Sequence, residues 1–421
     1  MAARDQVAAW FREVVRELDP GQRLAAKLAD GASLAAHRAI AVVAFGKAAG
    51  AMAAAWAKSA ERRGANPRAT RLLISASVPL ADLQARFPVG AFVGGHPEPN
   101  AESLRAGAAM LAAARALGRG PRPALLVALI SGGGSAMAEV PLQGSLEDLR
   151  ARNRRLVASG APIGEMNLIR KHRSAFKGGR LAAAAGAGVE QESWILSDVA
   201  GDDPSAVASG PTLPDGSTRE AYEAACARWL PGDAPAAVAE PLKPGDPAFA
   251  HARWQVLATN AEACAAVAAR ARTAGYGPVL VDAAVNEAEV EHAAGYLAAR
   301  WRTLHALHPL PALIAGGEVR VRLPQAHGRG GRNTWLALAL ALALEGEEFT
   351  FLSAGTDGVD GSSDAAGAIV DGGTAARVRA AGMDPAACLR GFDPHPALEA
   401  AGDLLRTGPT GNNLRDLRIL L

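Results

Sequence analysis

Continuous apolar runs bounded by glycine and proline are the feature that most constrains how this chain folds. The runs in the first half are Ile40–Phe45, Arg71–Ser75, Ala124–Ile130 and Trp194–Ser197. Runs of this kind are typical of parallel strands that helices cover on both faces. Stretches rich in alanine, leucine and arginine lie between them, as after Gly46 and over residues 103–117. The alternation predicts an α/β fold with a parallel sheet.

A segment of proline, glycine, alanine and aspartate, Pro231–Pro247, predicts a boundary between two domains. We place an N-terminal α/β domain over residues 1–235 and a C-terminal α/β domain over residues 250–421. The strands predicted in the second domain are Trp254–Ala258, Gly277–Val281, Ala312–Ile314 and Phe349–Leu352. Leu336–Leu344 alternates leucine and alanine, but both are helix formers and neither is β-branched, so we predict a buried helix.

Bulk composition restricts the function classes. With 44 basic and 42 acidic residues the net charge is +2, and aromatic residues make up 5% of the chain. Neither the basic field nor the stacking surface expected of a nucleic-acid-binding protein is present in this composition. Hydrophobic residues at 49% and charged residues at 20% are ordinary for a folded enzyme and exclude a largely disordered chain.

Cysteine spacing and the length of apolar runs predict the cellular compartment of the protein. The three cysteines contain no CxxC pair, which fits neither a zinc site nor a disulfide framework and suits a reducing compartment. They are Cys226, Cys264 and Cys388. Residues 1–12 read as an amphipathic helix and not as a signal peptide. The longest apolar run, Trp335–Leu344, is shorter than the roughly 20 residues of a membrane helix. We expect a cytoplasmic protein without a membrane partner.

Two glycine-rich loops follow predicted strands, where ligands of open parallel sheets bind. Gly46 allows a tight turn, and Lys47 at the start of a helix suits phosphate binding, with a surface lysine as the alternative. The second loop follows Ile130, and its consecutive backbone N–H groups suit an anion-binding nest, with a flexible turn as the alternative. Its candidate residues are Gly132, Gly133, Gly134 and Ser135.

Carboxylates follow two further strands. Asp198 comes directly after the fourth apolar run, and Thr356 and Asp357 lie in a glycine loop after Phe349–Leu352. Carboxylate oxygens are ligands that Mg²⁺ prefers, whereas Asx turns and helix caps account equally well for single aspartates. Asp198 is the stronger candidate, either as a magnesium ligand or as a base.

Basic residues concentrate in two further motifs. One cluster comprises Arg170, Lys171, His172, Lys177 and Arg180. On a near-neutral chain this density fits an acidic small molecule, with a solvated helix face as the alternative. The other motif opens the predicted leucine–alanine helix, where planar guanidinium groups can clamp carboxylate or phosphate. It comprises Arg329, Gly330, Gly331, Arg332 and Asn333. Asn412 lies in a glycine-rich segment near the C-terminus, for which an ordinary turn is the simpler interpretation.

In this order, from about Val42 to the C-terminus, the motifs resemble the glycerate 2-kinase family. The resemblance implies a Rossmann-like N-terminal domain, a C-terminal MOFRL domain and an active site in the cleft between them. It also implies ATP as donor, Mg²⁺ as cofactor, D-glycerate as acceptor and 2-phosphoglycerate as product. Thr334–Trp335 and Asn412–Asn413 depart from the usual family residues, which predicts an effect on nucleotide or acceptor preference and not on the reaction class.

The resemblance also implies roles for the candidate residues. Lys47 and Arg332 match the lysine and arginine thought central in the family, and we expect them to hold the charge of the transferred phosphoryl group. Asp198, with Asp357, is expected to organise Mg²⁺ or to accept the hydroxyl proton. The basic cluster is expected to recognise the glycerate carboxylate. The remaining expected nucleotide or phosphate contacts are Gly46, the glycine loop, Arg329, Gly330, Gly331, Asn333, Thr356 and Asn412.

Two other functions compete with the kinase. A nicotinamide-dependent hydroxypyruvate reductase, a description often given to relatives, should carry G-x-G-x-x-G in its first βα turn, and that spacing does not occur in the chain. A non-catalytic sensor of sugar acids or nucleotides would leave the carboxylate loops without a purpose. The sequence is compatible with a homodimer and does not decide the oligomeric state.

Overall fold

The fold is that of a computed structural model, which describes residues 2–76, 87–233 and 237–421. In this part of the chain no helix is both long and apolar enough to cross a membrane. The chain forms two compact units, which we call the N-terminal unit (Pro20–Leu257) and the C-terminal unit (Ala258–Leu421 together with Met1–Asp19). Each unit has its own sheet and its own apolar core.

The first helix, α1 (Ala3–Glu17), belongs to the C-terminal unit, whereas the predicted N-terminal domain begins at residue 1. The helix is amphipathic, as predicted for the N-terminus, and its apolar face is buried among elements of the C-terminal unit. Trp10 meets Tyr276 edge-on with ring centroids 5.9 Å apart. The first residues of the chain therefore complete the core of its second half.

The other boundary also differs from the predicted one. The chain leaves the N-terminal unit after Leu257, so the strand predicted at Trp254–Ala258 completes the first sheet and does not open the second. The predicted linker, Pro231–Pro247, lies within the N-terminal unit, and its residues 234–236 are outside the described part of the chain. The segment rich in proline and glycine therefore lies inside one unit and does not mark the boundary between the two units.

Six strands form the sheet of the N-terminal unit: β1 (Ala39–Phe45), β2 (Thr70–Ala76), β3 (Val89–Val93), β4 (Ala124–Ile130), β5 (Glu190–Leu196) and β6 (Ala252–Ala258). Their order is β3-β2-β1-β4-β5-β6, and the pairings among β1 to β5 are all parallel. The predicted parallel sheet is confirmed. The sequence does not predict β3, because this strand contains a glycine and is only partly buried.

Helices of the N-terminal unit connect these strands. They are α2 (Pro20–Lys27), α3 (Ala49–Arg62), α4 (Ala101–Arg119), α5 (Gly134–Met137), α6 (Leu146–Ala158), α7 (Ile163–His172), α8 (Arg180–Ala185) and α9 (Arg219–Trp229). β1 and β4 are almost wholly buried, which explains their uninterrupted hydrophobicity. β1 pairs with β2 on one side and with β4 on the other, so the chain reverses direction across the sheet at the β1–β4 pair. Ligands of Rossmann-like folds bind at the carboxyl ends of such a pair.

The C-terminal unit contains a second sheet of six strands. In chain order its elements after α1 are α10 (Asn260–Thr273), β7 (Val279–Val281), α11 (Val290–Leu307), β8 (Ala312–Ala315), α12 (Arg332–Ala343), β9 (Thr350–Gly355), β10 (Gly367–Asp371), α13 (Thr374–Ala380), α14 (Pro385–Arg390), α15 (Pro394–Ala400), β11 (Leu404–Leu405) and β12 (Asp416–Leu420). The strand order is β11-β10-β9-β12-β8-β7. β7 and β8 are parallel, whereas the other pairings are antiparallel.

Helix α12 is the buried helix predicted for the leucine–alanine segment. Leu336, Leu338 and Leu340 and most of its alanines are buried, Leu342 near its end is partly buried, and the helix packs against α11 and the sheet. A helix that is apolar around its whole circumference can only be stable in the middle of a core. Its polar first turn, Arg332–Thr334, is thereby held in a fixed place at the edge of that core.

Candidate active site

The turn after β1 joins the two glycine loops of the N-terminal unit. The Lys47 amide donates to the Gly132 carbonyl at 2.9 Å, and the Ala48 amide donates to the Ser131 hydroxyl at 3.0 Å. Gly46 adopts a φ of +113°, and a Cβ there would lie 2.4 Å from the Ser131 carbonyl oxygen. Only glycine fits this position. The two loops predicted to bind phosphate are therefore bonded together at the carboxyl ends of β1 and β4.

The glycine loop presents backbone donors to this site. Among the described residues, the N–H groups of Gly132 and Gly133 have no protein acceptor. Gly133 has a φ of +79°, and a Cβ on it would lie 2.9 Å from the His96 ring and 3.5 Å from Lys47 Cγ. The Lys47 and His96 side chains thus flank the loop. Two open N–H groups beside a lysine form a concave, positive surface suited to an anion.

A buried ion pair supports the glycine loop from behind. Lys177 is 1% exposed, and its ammonium donates to the Ser135 carbonyl at 2.9 Å and to the Glu139 carboxylate. The same carboxylate accepts hydrogen bonds from the Ser174 hydroxyl and the Val140 amide. Burial lowers the pKa of Lys177, and the attraction of Glu139 opposes that effect. Lys177, predicted to bind substrate, is thus enclosed by protein groups.

Other members of the basic cluster also have protein partners. Lys171 pairs with Asp215, and both side chains are largely buried. His172 contacts the Leu168 carbonyl at 2.9 Å through Nδ1, and burial lowers its pKa. The Arg180 guanidinium donates to four backbone carbonyls, those of Lys171, Lys177, Ala239 and Glu240. These contacts favour structural roles for the three residues, and the predicted alternative of a solvated helix face does not apply to them.

The three carboxylates of the loop after β5 have different surroundings. Asp202 accepts a hydrogen bond from the Ser197 hydroxyl at 2.8 Å, and Asp203 accepts two from Ser205 at 2.9 Å. Both therefore stabilise the turn, as the Asx alternative predicts. Asp198 lies at the carboxyl end of β5, next to the strand that carries the glycine loop, and is partly exposed. Within the described residues no group of three or more metal-ligating side chains occurs.

In the C-terminal unit, Arg332 is held by two carboxylates. Its Nε lies 2.7 Å from Asp416 Oδ2, and one terminal nitrogen lies 3.0 Å from Asp416 Oδ1 and 2.8 Å from Glu318. Burial opposes ionisation of Arg332, but both carboxylates raise its pKa above the ordinary value. Burial alone would also raise the pKa of Asp416, but Arg332 and Arg418 outweigh it and lower that pKa. Arg332 remains one-third exposed, so its oriented guanidinium reaches solvent.

The first turn of α12 is fixed by Asp360. Its buried carboxylate accepts the amides of Asn333 and Thr334 at 2.9 and 2.8 Å, and burial raises its pKa. The Asn333 side chain in turn accepts a hydrogen bond from the Ser353 hydroxyl at 2.7 Å. Asn333, predicted to bind nucleotide, therefore forms hydrogen bonds with groups of the protein itself. Gly331 is needed because a Cβ there would lie 2.4 Å from Asp360.

The remaining candidates of the C-terminal unit also contact protein groups. Arg329 pairs with Asp364 at 2.9 Å, and the Gly330 amide donates to the Ser362 hydroxyl at 3.2 Å. The Thr356 hydroxyl donates to the Arg415 carbonyl, and Asp357 accepts the Val359 amide at 3.1 Å. The Asn412 amide group donates to the Val15 and Leu18 carbonyls at 3.0 Å, which caps the end of α1. The Asn412 side chain therefore has a contact that stabilises the end of α1.

Sequence reasoning missed His96, Glu139 and Asp416. His96 stands in a Gly-Gly-His-Pro segment after β3, and the dense glycine and proline there is a usable signal once that strand is known. Glu139 and Asp416 are buried acids whose partners, Lys177 and Arg332, come from distant parts of the chain. No local pattern identifies such pairs.

We predict that Asp416→Asn lowers the free energy of unfolding by about 2 kcal/mol, because Arg418, which is 1% exposed, loses its only carboxylate partner among the described residues. Urea denaturation followed by circular dichroism measures the change. Glu318→Gln is the matched control, since that carboxylate is 42% exposed and its loss should cost about 0.5 kcal/mol. Equal effects of the two substitutions would contradict the assignment.

Comparison with known proteins identifies relatives of this chain. The chain matches two families in succession, a domain of unknown function (DUF4147) over residues 6–243 and the MOFRL family over residues 311–416. A protein of Agrobacterium vitis, described provisionally as a hydroxypyruvate reductase, is 42% identical over 336 residues, covering 77% of this chain and 76% of the relative. D-glycerate 2-kinase of Thermotoga maritima is 36% identical over 331 residues, covering 77% and 78% of the two chains.

A solved structure extends the similarity to the whole chain. The crystal structure of glycerate kinase from Thermotoga maritima matches with a TM-score of 0.81 and 30% sequence identity, and the match covers 99% of both chains. Sequence and fold similarity thus agree on one group of proteins, and the chain belongs to the glycerate kinase family.

Proposed function

We propose that this protein transfers the γ-phosphoryl group of ATP to the 2-hydroxyl of D-glycerate, giving 2-phosphoglycerate and ADP. The C2 oxygen forms a bond to the γ-phosphorus while the bond to the β,γ-bridging oxygen breaks, and the hydroxyl proton passes to a carboxylate or to water. Such reactions depend on positioning and charge neutralisation more than on covalent catalysis. The Thermotoga maritima relative named D-glycerate 2-kinase supports this reaction and its regiochemistry.

The observation that carries the proposal is the anion site at the β1–β4 switch point. Lys47 lies beside two backbone N–H groups that have no acceptor among the described residues. We assign the phosphate of the nucleotide to these donors, with Lys47 on the transferred phosphoryl group. Gly46 and the loop Gly132–Ser135 provide the close backbone approach that this contact needs.

In the C-terminal unit, Arg332 is the residue that we propose to stabilise the negative charge of the transferred phosphoryl group. Asp416 and Glu318 orient its guanidinium but also neutralise much of its charge. Its remaining exposed N–H groups are therefore assigned to directional hydrogen bonding and not to long-range attraction. Asp416 acts here as a positioning residue.

The carboxylates fit a magnesium ion that arrives with ATP. Mg²⁺ keeps several waters and takes one or two protein carboxylates together with substrate phosphates. One acid, Asp198 at the end of β5, meets this requirement. When bound, the ion would neutralise charge on the phosphates. Asp198 would hold it or accept the hydroxyl proton, and Asp357 is the second candidate.

A coupled assay tests the reaction. Purified protein is incubated with Mg-ATP and D-glycerate, and the product is detected with enolase in the absence of phosphoglycerate mutase, since enolase accepts 2-phosphoglycerate and not the 3-isomer. We expect an enolase signal matched by ADP release. ADP release without an enolase signal would overturn the regiochemistry, and no ADP release would overturn the kinase assignment.

Hydroxypyruvate reduction is the second candidate, because the Agrobacterium vitis relative carries that description. The first βα turn reads Gly46-Lys47-Ala48-Ala49-Gly50 and lacks the glycine spacing of a dinucleotide fingerprint. We therefore expect no oxidation of NADH or NADPH with hydroxypyruvate under the conditions of the kinase assay. Turnover of either nucleotide would reverse the ranking of the two functions.

A cytoplasmic location completes the proposal. The three cysteines, Cys226, Cys264 and Cys388, carry free thiols. Unpaired, mostly buried thiols are what a reducing compartment permits.

A further inference from the structure

Arg170 differs from every other member of the basic cluster. Among the described residues its guanidinium has neither an ion pair nor a hydrogen bond to a protein group, although the side chain is partly buried. Lys171, Lys177 and Arg180 are each bound to carboxylates or carbonyls of the fold. A guanidinium has five N–H donors, and none of the Arg170 nitrogens is among the buried atoms without a partner, so its donors reach solvent. Arg170 is therefore the member of the cluster that has donors to offer a ligand.

The face of α7 that carries Arg170 is linked to the glycine loop. Asn167 lies one turn earlier on the same face of the helix, and its side-chain oxygen accepts a hydrogen bond from Ser209 at 3.3 Å. The Ser209 hydroxyl in turn lies 3.1 Å from the hydroxyl of Ser135, the last residue of the glycine loop. Arg170 is also close enough to Glu139 and Lys177 to influence, or be influenced by, their charges.

The charge around Arg170 favours an anion. The charge of Glu139 acts on three cations, Arg170, Lys177 and Arg180, and Asp215, which is paired with Lys171, also acts on Arg180. Two carboxylates face four cations, so an excess of positive charge remains in the cluster. Burial lowers the pKa of Arg170, and the attraction of Glu139 only partly offsets this. A bound anion would remove the imbalance.

We infer that Arg170 is the specificity-determining residue that binds the carboxylate of the acceptor, with the Ser135–Ser209–Asn167 hydrogen-bond chain beside it. This assignment rests on the proposed function, in which Lys47 and the loop N–H groups take the phosphate. The planar guanidinium matches the two oxygens of a carboxylate, so the substrate class is a small hydroxy acid and not a neutral polyol. The other four cluster residues contact groups of the protein itself.

The test compares two acceptors and four proteins. D-glycerate and its uncharged amide, D-glyceramide, are assayed with wild type, Arg170→Gln and Arg170→Lys, and Arg115→Gln, an exposed position on α4, is the control. For Arg170→Gln we expect KM for D-glycerate to rise about 100-fold, KM for ATP to change less than about threefold, and the preference for D-glycerate over D-glyceramide to collapse. Arg170→Lys should show more of the preference than Arg170→Gln, because lysine keeps the positive charge but lacks the planar pair of N–H donors of the guanidinium.

Other outcomes overturn the inference in different ways. A parallel loss on both acceptors would indicate a structural role, and a rise confined to KM for ATP would assign Arg170 to the nucleotide. If the wild type fails to phosphorylate D-glycerate, the proposed function falls, but calorimetric binding of D-glycerate to wild type and Arg170→Gln still tests the carboxylate contact. Equal affinities of the two proteins would then reject it. Thermal melting of each variant separates these results from unfolding.

Discussion

Lys47→Ala is expected to reduce kcat/KM for phosphoryl transfer about 1000-fold while leaving the fold intact. The side chain lies beside the open N–H groups of Gly132 and Gly133, where charge on the transferred phosphoryl group must be stabilised. Removing one preorganised donor of this kind typically costs about 100- to 1000-fold in rate, and here a full positive charge is lost as well. Backbone contacts of the turn survive, because they involve the Lys47 amide and not the ammonium.

Steady-state kinetics with the enolase-coupled assay measures this effect. Lys58→Ala on α3 is the matched control, since Lys58 is exposed on the helix that follows the same turn. Lys47→Arg should retain more activity than Lys47→Ala, because it keeps a charge in an altered geometry. If Lys47→Ala retains turnover within about threefold of wild type, Lys47 is a surface lysine and the anion site must be placed elsewhere.

Lys177→Met should lower the free energy of unfolding by about 3–5 kcal/mol. The substitution removes the cation that faces Glu139 in a place where both side chains are almost fully enclosed. An uncompensated buried carboxylate costs this much, whereas replacing both charges by neutral groups costs far less. The double variant Lys177→Met/Glu139→Gln should therefore be more stable than the single variant by about 2 kcal/mol or more.

Urea denaturation of the full chain measures these differences, with Lys58→Met as the surface control. Binding of Mg-ATP is a second measurement, and it distinguishes loss of the Lys177–Glu139 ion pair from a general packing defect in the core. Because the Lys177 ammonium also binds the Ser135 carbonyl, the double variant should regain stability but still bind Mg-ATP more weakly, since the glycine loop loses its anchor. If the single and double variants are equally unstable, the ion pair does not contribute as described.

The architecture was predictable where local chemistry decides it. The runs that form β1 and β4 are buried on both faces, so their uninterrupted hydrophobicity identifies them without tertiary information. β12 is different, because its sequence alternates Asp416, Leu417 and Arg418 and would indicate a half-exposed strand. The whole strand is buried, since Asp416 and Arg418 pair inside the unit. Charges that neutralise each other within a core mislead any argument from hydrophobicity alone.

The candidate site was predictable only in part for a related reason. Gly46 and Lys47 are adjacent in sequence and follow a clear strand, so the local sequence is enough to predict a phosphate-binding turn. The basic cluster has a local pattern too, but which cations remain available depends on acids far away in the chain, such as Asp215 for Lys171. The sequence therefore indicates that an acidic ligand is recognised near residues 170–180, and contacts across the fold are needed to single out Arg170.

The order of elements along the chain determines which unit can fold first during synthesis. The N-terminal unit is one uninterrupted stretch, Pro20–Leu257, whereas the C-terminal unit takes α1 from before that stretch. β12, the last strand in chain order, lies between β9 and β8 inside the second sheet. On the ribosome the N-terminal unit can close while the rest is still being made, but the apolar face of α1 stays without its partners until α10, β9 and β10, the elements it packs against, have emerged. Chaperone contact early in translation should accordingly map to residues 3–17.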